Sequence, residues 1–226
     1  MKRCHAIIFS CVLALGLLGA SSALSAPWEK IGKTGGISLY SQARQGSGVR
    51  AYRGVIELPR SPDEVAAIIT DFDQYKAFMP NVVESRVVSR QAEEGDRQRV
   101  HYYIRLEIPA LDDRDFVVLA DIASKLTAEG STWAIAYRAV SHPKVPALPD
   151  VVRLSRITGV WLLQPARGGQ ATRLTYELHT EFGGSVPDFM VDDQAGDALL
   201  DILERLAERC HERHGASVKQ ERLGLR

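Results

Sequence analysis

The side chains best suited to chemistry fall into a few small groups. Asp112, Asp113 and Asp115 surround Arg114. Clustered carboxylates can divide acid and base roles when their surroundings separate their pKa values. An arginine flanked by acids in a loop more often clamps that loop by ion pairing. Cys210, His211 and His214 are close enough on a helix for soft metal ligation. A fourth ligand is missing there and the surroundings are highly charged, so no metal and no cofactor is expected. His101 and His179 fall at positions that alternate with apolar residues and are expected on the wet faces of strands. Gly32-Lys33-Thr34 imitates the end of a phosphate-binding loop, but the opening glycine is absent, with Pro27 and Trp28 before it. There is no Gly-x-Ser-x-Gly elbow. Tyr102, Tyr137 and Tyr176 have two readings, as hydrogen-bonding groups for a ligand or as core aromatics whose hydroxyls are satisfied elsewhere. No catalytic residue emerges, and the chain reads as a container rather than a reactor.

Composition supports a folded container. Of 226 residues, 45% are hydrophobic and 25% charged, which argues against disorder. The 28 basic and 28 acidic side chains cancel, without the basic excess of a nucleic-acid binder. Lys2 and Arg3, the apolar run Ala6 to Leu18 and the small residues Ser21 to Ala26 have the layout of a secretory signal. The apolar run is shorter than the roughly 20 residues needed to span a bilayer. Residues 1–25 are therefore expected to be cleaved, with Ala23-Leu24-Ser25 near the cut, placing the protein in a periplasm. Cys4 and Cys11 would leave with the signal, and the remaining Cys210 has no partner for an internal disulfide.

Strands dominate the mature chain. Ile37-Ser38-Leu39-Tyr40 and Val49 to Leu58 read as strands around the turn Gln45-Gly46-Ser47-Gly48, while Trp28 to Gly36 reads as a lead-in. Ser61-Pro62-Asp63-Glu64 carries a capping box, and Val65, Ile68, Ile69 and Phe72 give a helical stripe. Val100, Tyr102, Ile104, Leu106 and Ile108 alternate with His101, Tyr103, Arg105 and Glu107, so one face is apolar and the other wet. Phe116 to Ile122, Trp133 to Tyr137 and Leu174 to Phe182 continue the sheet, and His142 to Asp150 is a proline-rich loop. A helix from about Pro187 to Glu208, capped by Ser185, shows an apolar face of Phe189, Leu199, Ile202, Leu203 and Leu206. Such a helix must cover the sheet. The expected class is α+β, a curved antiparallel sheet gripping a long C-terminal helix around an internal apolar cavity.

Four motifs in order carry a resemblance. They are Trp28 with Gly36-Ile37-Ser38-Leu39-Tyr40, Arg114-Asp115-Phe116, Val152-Arg153 leading to Gln164-Pro165, and Gly183-Gly184-Ser185-Val186-Pro187. From Trp28 to Arg209 the chain resembles the START family of steroidogenic-acute-regulatory-protein-related lipid-transfer domains, a branch of the helix-grip superfamily. The resemblance implies a lipid-binding domain over 27–212, followed by a charged tail over 213–226. It also implies pocket positions at Phe116, Val118 and Ala120, and a gating loop of Pro109, Ala110, Leu111, Asp112 and Asp113. Steroid-carrying members have a buried arginine where this chain has Ala120, which implies a more apolar pocket here. Asp115 is expected to pair Arg114 at one end of the gating loop.

Adding the apolar parity of the strands, the expected ligand wall is Tyr102, Ile104, Leu106, Phe116, Val118, Ala120, Trp133, Ile135, Tyr137, Tyr176, Leu178, Phe182, Phe189 and Leu203. The expected function is binding or transfer of a lipid or other apolar small molecule by an exported monomer with transient membrane contact and no nucleic-acid partner. Related polyketide cyclases and aromatases supply the alternative, an enzyme with acid or base groups inside the cavity. A third reading is an envelope interaction protein whose cavity is filled by its own side chains.

Overall fold

The computed structural model describes residues 26–92, 96–109, 111–184 and 188–222, with side chains for all of these except 188–194 and 213–222. Residues 1–25, expected to be a signal, together with Ala110, the expected Ser185 cap and the Phe189 side chain, lie outside the described residues. In chain order come β1 (Glu29–Thr34), β2 (Ile37–Gln42), β3 (Ala51–Leu58), α1 (Pro62–Ile69) and a 3-10 helix over Phe72–Ala77. Next are β4 (Val82–Ala92), β5 (Arg97–Leu106), β6 (Arg114–Thr127), β7 (Gly130–Val140), β8 (Val152–Arg153) and β9 (Ile157–Ala166). A 3-10 turn at Arg167–Gly169 leads to β10 (Ala171–Thr180), and α2 (Asp188–Arg222) completes the described chain. The strands form one sheet in the order β1-β2-β3-β10-β9-β7-β6-β5-β4, with β8 added alongside β6. All pairs along this path are antiparallel, and only the β6–β8 pair is parallel. The sheet is curved and unclosed, and with α2 it makes the expected α+β helix-grip arrangement.

Local chemistry explains the helices. Ser61 Oγ accepts from Glu64 N, and Glu64 Oε2 accepts from Ser61 N at 3.0 Å, so the capping box is closed on both sides. Val65, Ile68, Ile69 and Phe72 are all buried, although the α-helix stops before Phe72, which opens the 3-10 helix. In α2, Leu199, Leu203, Leu206 and Cys210 have no exposed surface and form one stripe. This stripe packs on β3 at Gly54, where any Cβ would strike Leu203 Cδ1. The missing side chain lets the helix approach the strand closely. Arg60 ties the same helix down by donating from Nε to the Cys210 carbonyl at 2.5 Å.

Three strands depart from the sequence expectations. β1, expected as a lead-in, is an edge strand whose residues are largely exposed, so it has no alternation to read. β4 is interrupted by register shifts between Val82 and Glu84 and between Val87 and Ser89. Each bulge reverses the side-chain parity, which turns alternation into Val82-Val83 and Val87-Val88 doublets. β8 is too short for any period to show. The terminal helix also continues to Arg222, past the expected end at Glu208.

Candidate functional site

The concave face of the sheet is shared between two occupants. α1 packs across β7, β9 and β10, while α2 packs on β2 and β3. Between them is a cavity of about 170 Å3. Its strand walls are Tyr102, Ile104 and Leu106 of β5, Phe116 of β6, Tyr137 of β7, Ile157 and Trp161 of β9, and Tyr176, Leu178 and Thr180 of β10. Ile108, Leu154 and Phe182 extend the wall beyond the strand ends. Tyr75 and the segment Met79-Pro80-Asn81-Val82 border another side, and Ala198 and Ile202 of α2 border a further one.

Eight of the fourteen expected wall residues are there: Tyr102, Ile104, Leu106, Phe116, Tyr137, Tyr176, Leu178 and Phe182. Val118, Ala120 and Ile135 are instead fully packed in the core. Trp133 is displaced from the cavity too, donating from Nε1 to Asp63 Oδ1 of α1 at 2.8 Å. Leu203 is spent on the contact with Gly54. Strand parity identifies the inner face correctly for Trp133 and Ile135, as the resemblance does for Val118 and Ala120, while Leu203 is on α2. Parity cannot say how much of that face α1 fills, and α1 packs on β7, the strand that carries Trp133 and Ile135. The helix-borne residues Ala198 and Ile202, and the irregular segment around Met79, carry no period-two signal by which the sequence could have found them.

The wall is aromatic and uncharged. Trp161 stacks on Tyr176 with ring centroids 3.4 Å apart and planes 4° from parallel. Phe72 stacks on Tyr102 at 4.1 Å. Tyr137 Oη and Tyr176 Oη are 2.6 Å apart and buried, bonded to each other. Tyr75 Oη donates to the Ile69 carbonyl at 2.6 Å. Burial pushes the pKa of Tyr75, Tyr102, Tyr137 and Tyr176 well above the ordinary phenol value. All four therefore stay protonated through the neutral range. Among the described residues lining the cavity there is no Asp, Glu, His, Lys or Arg.

The residues singled out for chemistry lie elsewhere. The expected Arg114–Asp115 pair does not form, because adjacent strand residues point to opposite faces. Asp115, with no exposed surface, is held by Arg153, whose Nε lies 2.6 Å from Oδ1 and Nη2 2.9 Å from Oδ2. Tyr103 adds a hydroxyl at 3.2 Å. Burial, and after it the Asp115 charge, raises the Tyr103 pKa to about 12. Arg153 also donates to the carbonyls of Val145 and Pro146, so Asp115 anchors the proline-rich loop to the outside of the sheet. Arg114 is buried on the inner face and donates to the Asp112 carbonyl. Asp113 faces Arg105 at 3.9 Å. The three aspartates are thus separated and each is engaged in holding chain segments together. Cys210 is sealed in the core while His211 is exposed, so these two do not meet, and the His214 side chain lies outside the described residues. His101 and His179 are on the convex side, His101 against His142 and His179 3.6 Å from Glu181.

In the loop expected to act as a gate, Leu111 N donates to the Ile108 carbonyl and the Asp113 carbonyl accepts from Val152 N. The loop joins the two strands whose ends, Leu106 and Phe116, border the cavity.

Comparison with known proteins agrees with this geometry. Residues 58–207 match the family described as polyketide cyclase / dehydrase and lipid transport. The mouse phosphatidylcholine transfer protein is 22% identical over 192 residues, spanning 84% of this chain and 86% of its own. The crystal structure of a STAR-related lipid transfer protein fragment from Xanthomonas axonopodis superposes with a TM-score of 0.68 at 24% identity, covering 81% of this chain and 98% of that one. Human STARD10 superposes with a TM-score of 0.72 at 20% identity, covering 87% and 77%. The chain therefore belongs to the polyketide cyclase/dehydrase and lipid transport family, as a START-like member with the helix-grip fold.

Proposed function

We propose that this protein is an exported carrier that binds one lipid or other apolar molecule in the cavity and moves it through the periplasm. The observation that carries the reading is the wall itself: mainly aromatic and aliphatic, with Asn81 and Thr180 as neutral polar members and no Asp, Glu, His, Lys or Arg among the described lining residues. Each methylene buried there contributes roughly 0.8 kcal/mol, so affinity needs no chemistry from the protein. A cyclase built on the same fold requires a placed general acid or base, and Asp112, Asp113, Asp115, His101 and His179 all lie off this wall. The loop Pro109–Asp113 is the proposed gate, because it joins the strand ends at the cavity, and its opening would release the bond from Val152 N to the Asp113 carbonyl.

The test is transfer of a fluorescent lipid between vesicles by the protein lacking residues 1–25. Wild type should accelerate transfer. Ile202→Trp, which places an indole in the cavity, should abolish acceleration while keeping cooperative thermal unfolding. Equal transfer by both proteins would move the site off this cavity.

A further inference from the structure

We propose that the ligand is uncharged and carries a hydrogen-bond-accepting oxygen that docks on the Tyr137–Tyr176 pair. This rests on the carrier reading and names the class of molecule carried. Two hydroxyls bonded to one another share a single hydrogen. Whichever phenol donates, the other retains an O–H, and among the described residues neither hydroxyl has a further protein partner. A buried O–H without an acceptor is unfavourable, and both phenols belong to the cavity wall. An oxygen brought in by a ligand supplies the missing acceptor.

The fold holds this pair in place. Tyr176 is fixed by its stack on Trp161. Tyr137 reaches across β9 at Gly159, where any Cβ would strike its Oη and Cζ and would also lie 2.7 Å from the Glu177 carbonyl. Neither the ring nor that backbone can give way, so a glycine in mid-strand is what admits the hydroxyl. Burial keeps both phenols protonated, so the group offered to the ligand is a neutral donor rather than a phenolate.

The same wall rejects charge. A carboxylate or phosphate drawn onto the pair would lose its hydration against residues that provide no countercharge. What fits is a hydrocarbon body with an ester, ketone, ether or hydroxyl oxygen at its leading end. Because the two phenols partly satisfy one another when empty, the preference for oxygen over plain hydrocarbon is modest. The preference for neutral over ionised oxygen is the larger of the two.

The experiment uses Nile red, an uncharged dye, displaced by methyl decanoate, decane or decanoate at pH 8. In wild type, methyl decanoate should compete at about tenfold lower concentration than decane, the effect of about one hydrogen bond. Decanoate should be the weakest of the three. The Tyr137→Phe/Tyr176→Phe double variant should bring the ester and decane within about twofold of each other. Infrared spectra supply a readout on wild type alone: the carbonyl stretch of bound methyl decanoate should lie below its frequency in hexane. Decanoate as the best competitor, ester and decane equal in wild type, an unshifted carbonyl, or an ester preference that survives in the double variant would each overturn the head-group assignment alone. Failure of Nile red and all three competitors to bind wild type would overturn the carrier reading itself, and this proposal with it.

Discussion

Asp115 is completely buried, and its charge is balanced by one ion-pair partner, Arg153, with a hydroxyl from Tyr103 beside it. Removing that partner leaves an uncompensated charge in the protein, at a cost of roughly 3 kcal/mol. Arg153→Leu should therefore lower the urea unfolding free energy by about that amount. It should also expose the loop from His142 to Asp150 to proteases, since Arg153 holds two of its carbonyls. A change under about 0.5 kcal/mol, the size of an ordinary surface effect, would contradict the role assigned to Asp115. The tyrosines make a second prediction. Burial, and after it the Asp115 charge, pushes Tyr103 up to about 12, and burial raises Tyr75, Tyr102, Tyr137 and Tyr176 as well. Unfolded phenols release their protons near pH 10. Above that pH the unfolded state binds fewer protons than the folded one, so stability must fall as pH rises. The stabilisation is fully present below pH 10 and is lost from there upward, through and beyond 12. Urea midpoints at pH 9, 10.5 and 11.5 should decline in that order; a flat series would place these hydroxyls in contact with water.

Among the elements, legibility in the sequence followed periodicity and burial. β5 could be read because its alternation is uninterrupted from Val100 to Ile108, and α1 because Ser61 and Glu64 close a capping box over a clean stripe. β4 was hidden by its two bulges, and β1 by its exposure at the sheet edge. The cavity was legible in part for a related reason. Alternation fixes which face of a strand is inward, but the division of that face between α1 and empty space is a tertiary outcome. Trp133 was assigned to the wall on parity and is bonded instead to Asp63 of α1, while Ala120, placed by the resemblance, is buried in the core. The gate is a proposal at this scale too. If the Pro109–Asp113 loop contacts the membrane as it opens, a charge at its centre opposes that contact. Leu111→Asp should slow vesicle-to-vesicle transfer about tenfold, equivalent to about 1.4 kcal/mol. Nile red binding in solution should stay within about twofold. Unchanged transfer would assign the gate to the loop from His142 to Asp150.

For the molecule as a whole, the sheet and its two helices form a wall around a space that the core does not fill. α1 and the stripe of α2 supply ordinary core on either side, and the aromatic residues between them leave about 170 Å3 unoccupied by side chains. An unfilled apolar cavity weakens a fold, by about 24 cal/mol for each Å3 in large-to-small substitutions. A protein that keeps one gains stability whenever an apolar molecule enters. The measurement closest to the central claim is native mass spectrometry of the wild-type and Ile202→Trp proteins, each purified without detergent from cells that export it. The account predicts that wild type carries one added mass per chain, removable by organic solvent and absent from Ile202→Trp. A bare mass for wild type after gentle desolvation, or the same added mass on both proteins, would contradict it.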